Sequence, residues 1–283
     1  MSGWHQPRGP IHRGPTAVLG QGRLQITSRS ESNLATVTGE APDLRTANTK
    51  FYDTLWRKSR LVGPECFNTW PVVQTLLGEG PRRLEIGPGL HPRLPVAETF
   101  FIDISKEALS RLRERGGYAA LAPATALPFP DAAFDLLCAF DIVEHIEDDD
   151  ACFSELARLA RPGSALLLSV PLHASQWSRF DDIVGHYRRY DPMLLTEKLQ
   201  RHGFEIVRSA PFGMRPRSSS LATFAMDLLA RHPAQGFWCY NNLLLPLAVK
   251  LQKPLKFGKG IVASDQCDGL FLLCRRSRQS GCP

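Results

Sequence analysis

Two histidines that stand apart in the chain carry the side chains best suited to acid–base chemistry. His145 lies in Asp-Ile-Val-Glu-His-Ile at 141–146, and His186 begins His-Tyr-Arg-Arg-Tyr at 186–190. Because imidazole titrates near neutral pH, either ring could take a proton from an O–H or N–H group. We therefore predict that His145 and His186 are catalytic residues. The alternative is that Glu144 and His145 only hold their loop by hydrogen bonds.

Side chains beside these histidines, and one before the first strand, could bind a substrate. An arginine presents a planar fork that suits anionic groups, and a tyrosine hydroxyl can hydrogen-bond a polar one. The predicted substrate-binding residues are Glu144, Tyr187, Arg188 and Trp70. The arginines at 188 and 189 could instead form structural ion pairs with Asp182 or Asp191. For Trp70 the alternative is a place in the hydrophobic core.

Asp141, Glu144 and His145 could also bind a metal ion. Three such residues close together, without a ligand from a distant part of the sequence, are weak support for a metal site. We therefore predict no bound metal. The acidic run at 147–150 needs no chemistry, because it suits the positive N-terminal end of the helix that follows.

Two apolar stretches end in residues that could hold a nucleoside. Leu-Glu-Ile-Gly-Pro-Gly at 84–89 ends in glycines, which let the backbone turn tightly and let a ligand approach. Pro92 stands where a dinucleotide site needs a small residue, which argues against NAD(P). Asp103 ends the next apolar stretch, where a carboxylate can accept both hydroxyls of a ribose. A helix cap by Asp103 or Ser105 is the alternative.

The glycine turn, the acidic strand end and Leu-Pro-Phe-Pro-Asp-Ala-Ala-Phe-Asp at 127–135 together resemble the class I S-adenosylmethionine-dependent methyltransferases. The similarity is to the type 11-like members that act on small molecules, and it covers residues 82–210. It implies that S-adenosylmethionine is the cofactor and that a small acceptor is methylated on oxygen or nitrogen. The acceptor could be aromatic, lipid-like or anionic. The resemblance implies cofactor contacts by Glu85, Gly87, Gly89, Asp103, Ile104, Thr125, Ala126, Leu127 and Asp141.

One feature departs from that family. Its members often carry an acidic residue before the Leu-Pro-Phe segment, which accepts a hydrogen bond from adenine, but this chain has Ala-Pro-Ala at 122–124. Adenine recognition must then use backbone groups or another residue. A non-catalytic cofactor-binding or regulatory protein with this fold is therefore an alternative function.

Methylation of nucleic acid or protein is a third function to consider. No Asn-Pro-Pro-Tyr type segment follows the fourth predicted strand, which argues against methylation of base amino groups. We expect a small-molecule partner and no nucleic acid.

Apolar runs alternate with helical patterns, which predicts a parallel sheet with crossover helices. We predict a Rossmann-like α/β fold whose seven-stranded sheet is mostly parallel, with the last strand antiparallel. Helices cover both faces, and a helical insertion precedes the last strand. Strands are predicted at 83–86, 99–104, 118–122, 134–140, 165–170, 204–210 and 269–275. Helices are predicted at 106–115, 149–160, 192–202 and 221–230, and a further apolar stretch lies at 238–251.

Composition divides the chain into five predicted parts. The first is rich in Gly, Pro, Ser and Arg, which favours disorder. The parts are a disordered tail at 1–46, a helical cap at 47–80, a cofactor-binding core at 81–213, a helical insertion at 214–265, and the last strand with its tail at 266–283.

Global properties exclude some classes of protein. The 283 residues are 43% hydrophobic, yet no run of about 18 apolar residues occurs, so no membrane span is predicted. Seven cysteines without a CxxC pair favour reduced thiols and a cytoplasmic location. An organelle transit peptide is an alternative for the arginine-containing first 46 residues.

The net charge of +6 is concentrated near the C-terminus. Residues 200–283 hold 12 Lys or Arg against four Asp or Glu. Four of these lysines, at 250, 253, 256 and 259, stand beside an apolar stretch that begins at Trp238. This insertion could line an acceptor pocket, form a homodimer face, or rest on an anionic membrane surface.

Overall fold

The computed structural model describes residues 18–20, 23–25, 53, 55–57, 59–78, 81–213, 233–262 and 267–278. Most of the predicted tail at 1–46 and the whole predicted helix at 221–230 lie outside these residues. Within the tail, β1 (Val18–Gly20) and β2 (Arg23–Gln25) form an antiparallel pair. In the described part of the chain, no helix has both the length and the apolar character that crossing a membrane requires.

Eight strands of the described residues form one sheet. They are β3 (Arg83–Ile86), β4 (Thr99–Asp103), β5 (Tyr118–Leu121), β6 (Phe134–Phe140), β7 (Ala160–Pro171), β8 (Phe204–Phe212), β9 (Gly258–Lys259) and β10 (Gly269–Arg276). The spatial order is β5-β4-β3-β6-β7-β10-β8-β9. The predicted α/β fold with an antiparallel last strand is confirmed. The predicted number of strands is wrong by one, because two-residue β9 pairs with the outer edge of β8.

The sheet direction places the site. Strands β3, β4, β5, β6 and β7 are parallel to their neighbours, whereas β10 runs antiparallel between β7 and β8. The chain goes outward from β3 to β4 and β5, then returns to β6 on the other side of β3. Ligands of open α/β sheets bind at the carboxyl ends of the strands beside such a reversal. The ends of β3, β4 and β6 meet there.

Helices join the strands. They are α1 (Trp70–Leu77), α2 (Lys106–Glu114), α3 (Asp149–Leu159), α4 (Arg179–Val184), α5 (Pro192–Arg201), α6 (Pro233–Cys239) and α7 (Leu245–Lys250). A π-helical turn (Tyr240–Leu244) links α6 to α7, and 3₁₀ turns lie at Pro64–Cys66, Val143–His145 and Ala174–Gln176. Side-chain caps begin three of the helices, because Ser105, Asp148 and Asp191 accept backbone N–H bonds from the first turns of α2, α3 and α5. Asp53 and 55–57 are also helical.

Apolar residues cover both faces of the sheet. On one face, Phe134 of β6 packs in a cluster with Phe153 and Leu156 of α3. On the other, Val73 of α1 packs in a cluster with Phe271 of β10. Because both faces are buried, the central strands read as continuous apolar runs rather than alternating ones. This pattern is why β3 and β6 were predicted with their observed bounds.

Arg158 of α3 holds the segment that follows β5. Its guanidinium donates to the carbonyl oxygens of Leu127 (3.0 Å) and Phe129 (2.7 Å) and pairs with Asp131 (2.8 Å). Glu155, one turn earlier, binds Arg158 and also accepts the N–H of Leu127 at 2.6 Å. The Leu-Pro-Phe segment is therefore positioned by a helix rather than by its own residues.

We predict that Arg158→Met lowers the free energy of unfolding by about 1–3 kcal/mol, because partly buried carbonyls and Glu155 lose their partner. Arg201→Met is the matched control, since Arg201 is exposed at the end of α5. Urea denaturation of both variants measures the difference. Equal stability of the two variants would contradict a positioning role for Arg158.

Candidate functional site

The glycine turn after β3 is enclosed by two apolar side chains. Gly87 and Gly89 have φ angles of 63° and 53°, in the left-handed region that favours glycine. A Cβ atom at Gly87 would collide with Ile142, and one at Gly89 would collide with Trp56. Both positions therefore require glycine for space as well as for backbone conformation. Trp56 was not predicted as a site residue, because its helical spacing indicated only a core position.

Asp103 joins the end of β4 to the glycine turn. Its Oδ2 accepts the N–H of Gly89 (3.0 Å) and its Oδ1 accepts that of Ser105 (2.8 Å). Burial raises the pKa of Asp103 to about 6, although these hydrogen bonds favour the ionised form. Each carboxylate oxygen keeps a second lone pair that could accept a ribose hydroxyl. The helix-cap alternative holds for Ser105, whose hydroxyl accepts the N–H of Ala108.

Glu85 holds the segment that follows the turn. Its buried carboxylate accepts the N–H groups of Arg93 (2.8 Å) and Leu94 (3.0 Å). Burial raises the pKa of Glu85 to about 7 in spite of these bonds. In this structure, Glu85 shapes the backbone beside the glycines, and its predicted contact with a cofactor stays a prediction.

The predicted adenine side lies at the ends of β4 and β5. Thr125 and Ala126 form a turn in which Ala126 N–H donates to Pro123 O at 3.1 Å. Leu127 follows the turn and is buried, whereas Ile104 beyond β4 is 39% exposed. Because β4 and β5 are parallel neighbours, Ile104 and this segment leave the sheet at the same edge. No item of geometry here supplies the carboxylate that the sequence lacks at 122–124.

Asp141 ends β6 in an unusual conformation. Its φ of 51° is uncommon for a residue other than glycine, and such backbone strain often marks functional sites. Its N–H donates to the carbonyl oxygen of Ser169 (3.1 Å), and its Oδ1 accepts the Ser169 hydroxyl (2.9 Å). This contact with β7 starts the 3₁₀ turn that carries Glu144 and His145.

The structure brings the two predicted catalytic histidines together with Glu144. The ring centroids of His145 and His186 are 4.5 Å apart, edge to face. His186 Nε2 lies 3.9 Å from Glu144 Oε1. Glu144 is fully buried, and neither carboxylate oxygen has a hydrogen-bond partner among the described residues. Ligand atoms of all three residues lie within 4.8 Å of one another, so the group could hold a metal ion.

Asp181 and Arg189 support this cluster from behind. Asp181 Oδ1 lies 2.8 Å from His186 Nδ1, and Arg189 binds both Asp181 oxygens at 2.8 and 3.1 Å. Burial opposes ionisation of Asp181, but hydrogen bonds from Arg189, Ser178 and His186 outweigh it and lower its pKa. Arg189 also binds Asp268 Oδ1 at 2.9 Å, which ties the cluster to the segment before β10.

Both histidines are neutral at physiological pH. Burial lowers the pKa of His145 to about 3, and burial also lowers the pKa of His186 although Asp181 opposes the shift. A neutral imidazole has one nitrogen that donates and one that carries a lone pair. Since Asp181 accepts the N–H at Nδ1 of His186, its Nε2 presents the lone pair toward Glu144. The cluster can therefore accept a proton or ligate a cation.

The remaining predicted substrate residues have structural contacts. Arg188 donates to the carbonyl oxygens of Ile146 (2.7 Å) and Glu147 (2.6 Å) and pairs with Asp149 (3.2 Å). Both arginines thus form ion pairs, but not with the partners that the sequence suggested. Asp182 accepts Trp177 Nε1–H, and Asp191 caps α5, because each carboxylate bonds to groups of its own local turn.

Two further predicted residues lie at the edge of the site. Trp70 packs against the apolar cluster that contains Val73, which agrees with the core alternative. The backbone N–H of Tyr187 donates to the carbonyl oxygen of Glu144 at 2.8 Å. Contact of either side chain with a substrate stays a prediction. Sequence reasoning missed Asp181, because an aspartate in an irregular loop carries no pattern.

Comparison with known proteins gives a family for part of the chain. Residues 84–168 match the family model described as "Methyltransferase domain". A "probable S-adenosylmethionine-dependent methyltransferase" of Mycolicibacterium smegmatis is 35% identical over 82 residues, 28% of this chain and 32% of that protein. A phosphatidylethanolamine N-methyltransferase of Cereibacter sphaeroides is 35% identical over 102 residues, 31% of this chain and 50% of that protein. The chain thus spans at most half the length of these curated relatives.

Two solved structures share the fold. SpnF, a 4+2 cyclase, superposes with a TM-score of 0.53 at 19% identity and covers 84% of this chain and 97% of its own. A methyltransferase from Thermotoga maritima superposes with a TM-score of 0.50 at 14% identity and covers 83% and 91%. The resemblance to class I methyltransferases, with S-adenosylmethionine as cofactor, is confirmed for this domain. The individual site residues stay predictions.

We predict that affinity for the demethylated donor, S-adenosylhomocysteine, falls as the pH falls through about 6. Only ionised Asp103 can accept both ribose hydroxyls, and protonation below its raised pKa removes that capacity. Titration calorimetry between pH 5 and 8 measures the profile. Asp103→Asn should weaken binding about tenfold or more and abolish the pH dependence. Glu114→Gln, on the exposed end of α2, should keep the wild-type profile. A flat wild-type profile would contradict the ribose contact.

Proposed function

We propose that this chain, whose residues 84–168 form a class I S-adenosylmethionine-dependent methyltransferase domain, methylates an oxygen or nitrogen atom of a small molecule. One observation carries the proposal. The glycine turn with Asp103 and the cluster of Glu144, His145 and His186 lie at the same carboxyl edge of the sheet. They flank Ile142, whose side chain fills the space beside Gly87. A donor side and an acceptor side are therefore adjacent.

Methyl transfer from a sulfonium is an in-line displacement, so alignment of donor and nucleophile is the main requirement. Asp103 and the glycine turn fix the nucleoside and the amino-acid part of the donor. The neutral imidazoles of His145 and His186 face the acceptor side, where one lone pair could receive the proton of an O–H or N–H group. Asp181 and Arg189 hold the His186 ring in that orientation.

Apolar groups beside the cluster suit an acceptor with an apolar part. Trp177 and Phe180 are both 40% exposed, and the Phe180 ring lies 6.2 Å from that of His186. The relative from Cereibacter sphaeroides is named for methylation of an amino group on a lipid. Both observations support an amphiphilic amine or alcohol as acceptor, and we choose phosphatidylethanolamine as the first probe.

We predict that the purified chain converts S-adenosylmethionine to its demethylated product and adds one methyl group to an acceptor, detected by mass spectrometry. Phosphatidylethanolamine in mixed micelles and a small-molecule extract are the two acceptor samples. His186→Gln should lower turnover about 10²-fold or more with donor affinity unchanged, because His186 lies on the acceptor side. His202→Gln, at the end of α5, should leave turnover unchanged.

Two outcomes would overturn this function. Absence of donor binding at millimolar concentration would remove the cofactor, and donor binding without any methylated product would favour a non-catalytic cofactor-binding protein. Equal loss of turnover in His186→Gln and His202→Gln would remove the role of the cluster.

We also propose that the insertion contacts an anionic membrane surface. Its exposed apolar residues are Trp238, Leu243, Leu247 and Leu251, each 50–69% exposed. The π-helical turn makes a five-residue step close to one turn, so these side chains follow one face of the helical stretch. Such a face with basic neighbours is typical of helices that lie in a membrane interface.

Charge around this face favours an anionic partner. Lys250, Lys253, Lys256 and Lys259 are all exposed, and residues 233–262 contain no aspartate or glutamate. The insertion also packs on the segments that enclose the glycine turn. Asn68 binds Gln252 and the carbonyl oxygen of Lys253, each at 2.8 Å. Binding to a bilayer would therefore bring a lipid-borne acceptor to the same side of the protein.

We predict that the chain co-sediments with vesicles containing 30% phosphatidylserine but not with pure phosphatidylcholine vesicles. Each lysine near such a surface contributes about 1 kcal/mol, so Lys253→Gln with Lys256→Gln should weaken binding about tenfold or more. Lys106→Gln with Arg115→Gln, on α2, removes the same charge and should bind like wild type. Equal losses in both double variants, or a homodimer abolished by Leu243→Ser with Leu247→Ser, would contradict the membrane contact.

A further inference from the structure

We propose that Glu144, His145 and His186 bind a divalent first-row transition-metal ion on the acceptor side of the site. The lack of a distant ligand argued against a metal in the sequence. The fold supplies that ligand, because His186 follows α4 and returns to the 3₁₀ turn that carries Glu144 and His145. The site itself stands on this geometry, whereas its part in methyl transfer rests on the proposed function.

The spacing of the side chains suits an ion better than a direct contact. Glu144 Oε1 and His186 Nε2 are 3.9 Å apart, which is too long for a hydrogen bond. Ligand bonds of about 2.0–2.2 Å place two ligand atoms of one ion roughly 3–4.3 Å apart. The separation lies within that range, and all three ligand atoms lie within 4.8 Å. An ion between them would need only small side-chain adjustments.

The burial of Glu144 gives independent support. Its side chain is fully buried, and both oxygens lack a hydrogen-bond partner in the described structure. A buried, unpaired carboxylate is costly, whereas a bound cation would satisfy it. The nearest buried guanidinium does not do so, because Arg189 is engaged by Asp181 and Asp268.

The surroundings of His186 match those of a metal-ligating histidine. Such residues usually donate their other ring N–H to a carboxylate, which fixes the tautomer and orients the ring. Asp181 accepts from His186 Nδ1 at 2.8 Å, and Arg189 fixes Asp181 with two further bonds. Nε2 is thereby directed to Glu144. The second ligand, His145, has its ring held by backbone groups of Val184 and Gly185.

The donor set selects the class of metal and leaves room for a substrate. Two imidazoles with one carboxylate favour Zn²⁺, Mn²⁺, Fe²⁺ or Co²⁺ over Mg²⁺ and Ca²⁺, which prefer oxygen ligands. Three protein ligands leave at least one position open. An acceptor hydroxyl bound there would lose its proton to solvent more readily. Its oxygen then forms the bond to the methyl carbon as the carbon–sulfur bond breaks, with the electron pair leaving on sulfur.

The test uses the whole chain, stripped with chelator and titrated with Co²⁺ and with Zn²⁺. We expect one ion per chain, a visible Co²⁺ absorption band, and a displacement of Co²⁺ by Zn²⁺. Glu144→Gln should weaken Co²⁺ binding about 100-fold, and Asp181→Asn should weaken it about 10–100-fold. His202→Gln with Asp150→Asn, a surface histidine–carboxylate pair, is the matched control and should bind like wild type.

Donor binding separates loss of the site from misfolding. Glu144→Gln should keep wild-type affinity for S-adenosylhomocysteine, because the donor contacts lie on Asp103 and the glycine turn. Without metal, this variant should also melt at a higher temperature than wild type, since it removes an unpaired buried carboxylate. Absence of a Co²⁺ band, or equal Co²⁺ affinity in wild type and Glu144→Gln, would overturn the site.

The catalytic role has its own readout. Turnover that is lost with chelator and restored by Zn²⁺ or Mn²⁺ would support it, and full turnover by metal-free chain would overturn that role while the binding data still decide the site. Failure of the proposed function differs from both results. In that case Co²⁺ binds as expected, but no donor binds and no methylated product forms.

Discussion

The carboxylate of Asp103 is the contact on which the donor side of this structure depends. It accepts backbone N–H groups from Gly89 and Ser105, so one side chain joins the glycine turn, the end of β4 and the start of α2. Burial opposes its ionisation and raises its pKa, which makes the site costly to form in the absence of a ligand. The same burial excludes water from a group that is already oriented. Preorganisation of this kind is what a bound ribose would use.

A second buried carboxylate, Asp181, plays the equivalent part on the acceptor side. It is held by Arg189 and in turn holds His186, so the loop after β7, the segment before β10 and the turn after β6 are joined through one charge network. Its charge is balanced by the arginine. Glu144 lies beside this network without a hydrogen-bond partner of its own in the described residues. This imbalance distinguishes the cluster from an ordinary structural ion pair, because such pairs satisfy both of their members.

Local patterns explain which elements were predictable. The apolar runs of β3 and β6 give their observed bounds, and the caps at Ser105 and Asp191 mark helix starts, because both signals depend on neighbouring residues alone. The two-residue strand β9 and the short helix α4 were not predicted. Pairing with the edge of β8 creates β9, and its sequence, Gly-Lys, has no strand pattern. The bonds from Arg158 to Leu127 and Phe129 were equally hidden, since an arginine on a helix usually indicates only a solvated face.

The sequence by itself determined the family resemblance, the order of the elements and the candidate residues. Each of these depends on residues close together in the chain, such as the glycines at 87 and 89. Only the tertiary structure decided which candidates meet. His186 reaches Glu144 because the connections that follow β6 and β7 leave the sheet at the same edge. Whether two such side chains touch depends on backbone direction and on partners such as Asp181, and neither is written in local spacing. The physical reason is that parallel strands bring distant segments together at their carboxyl ends.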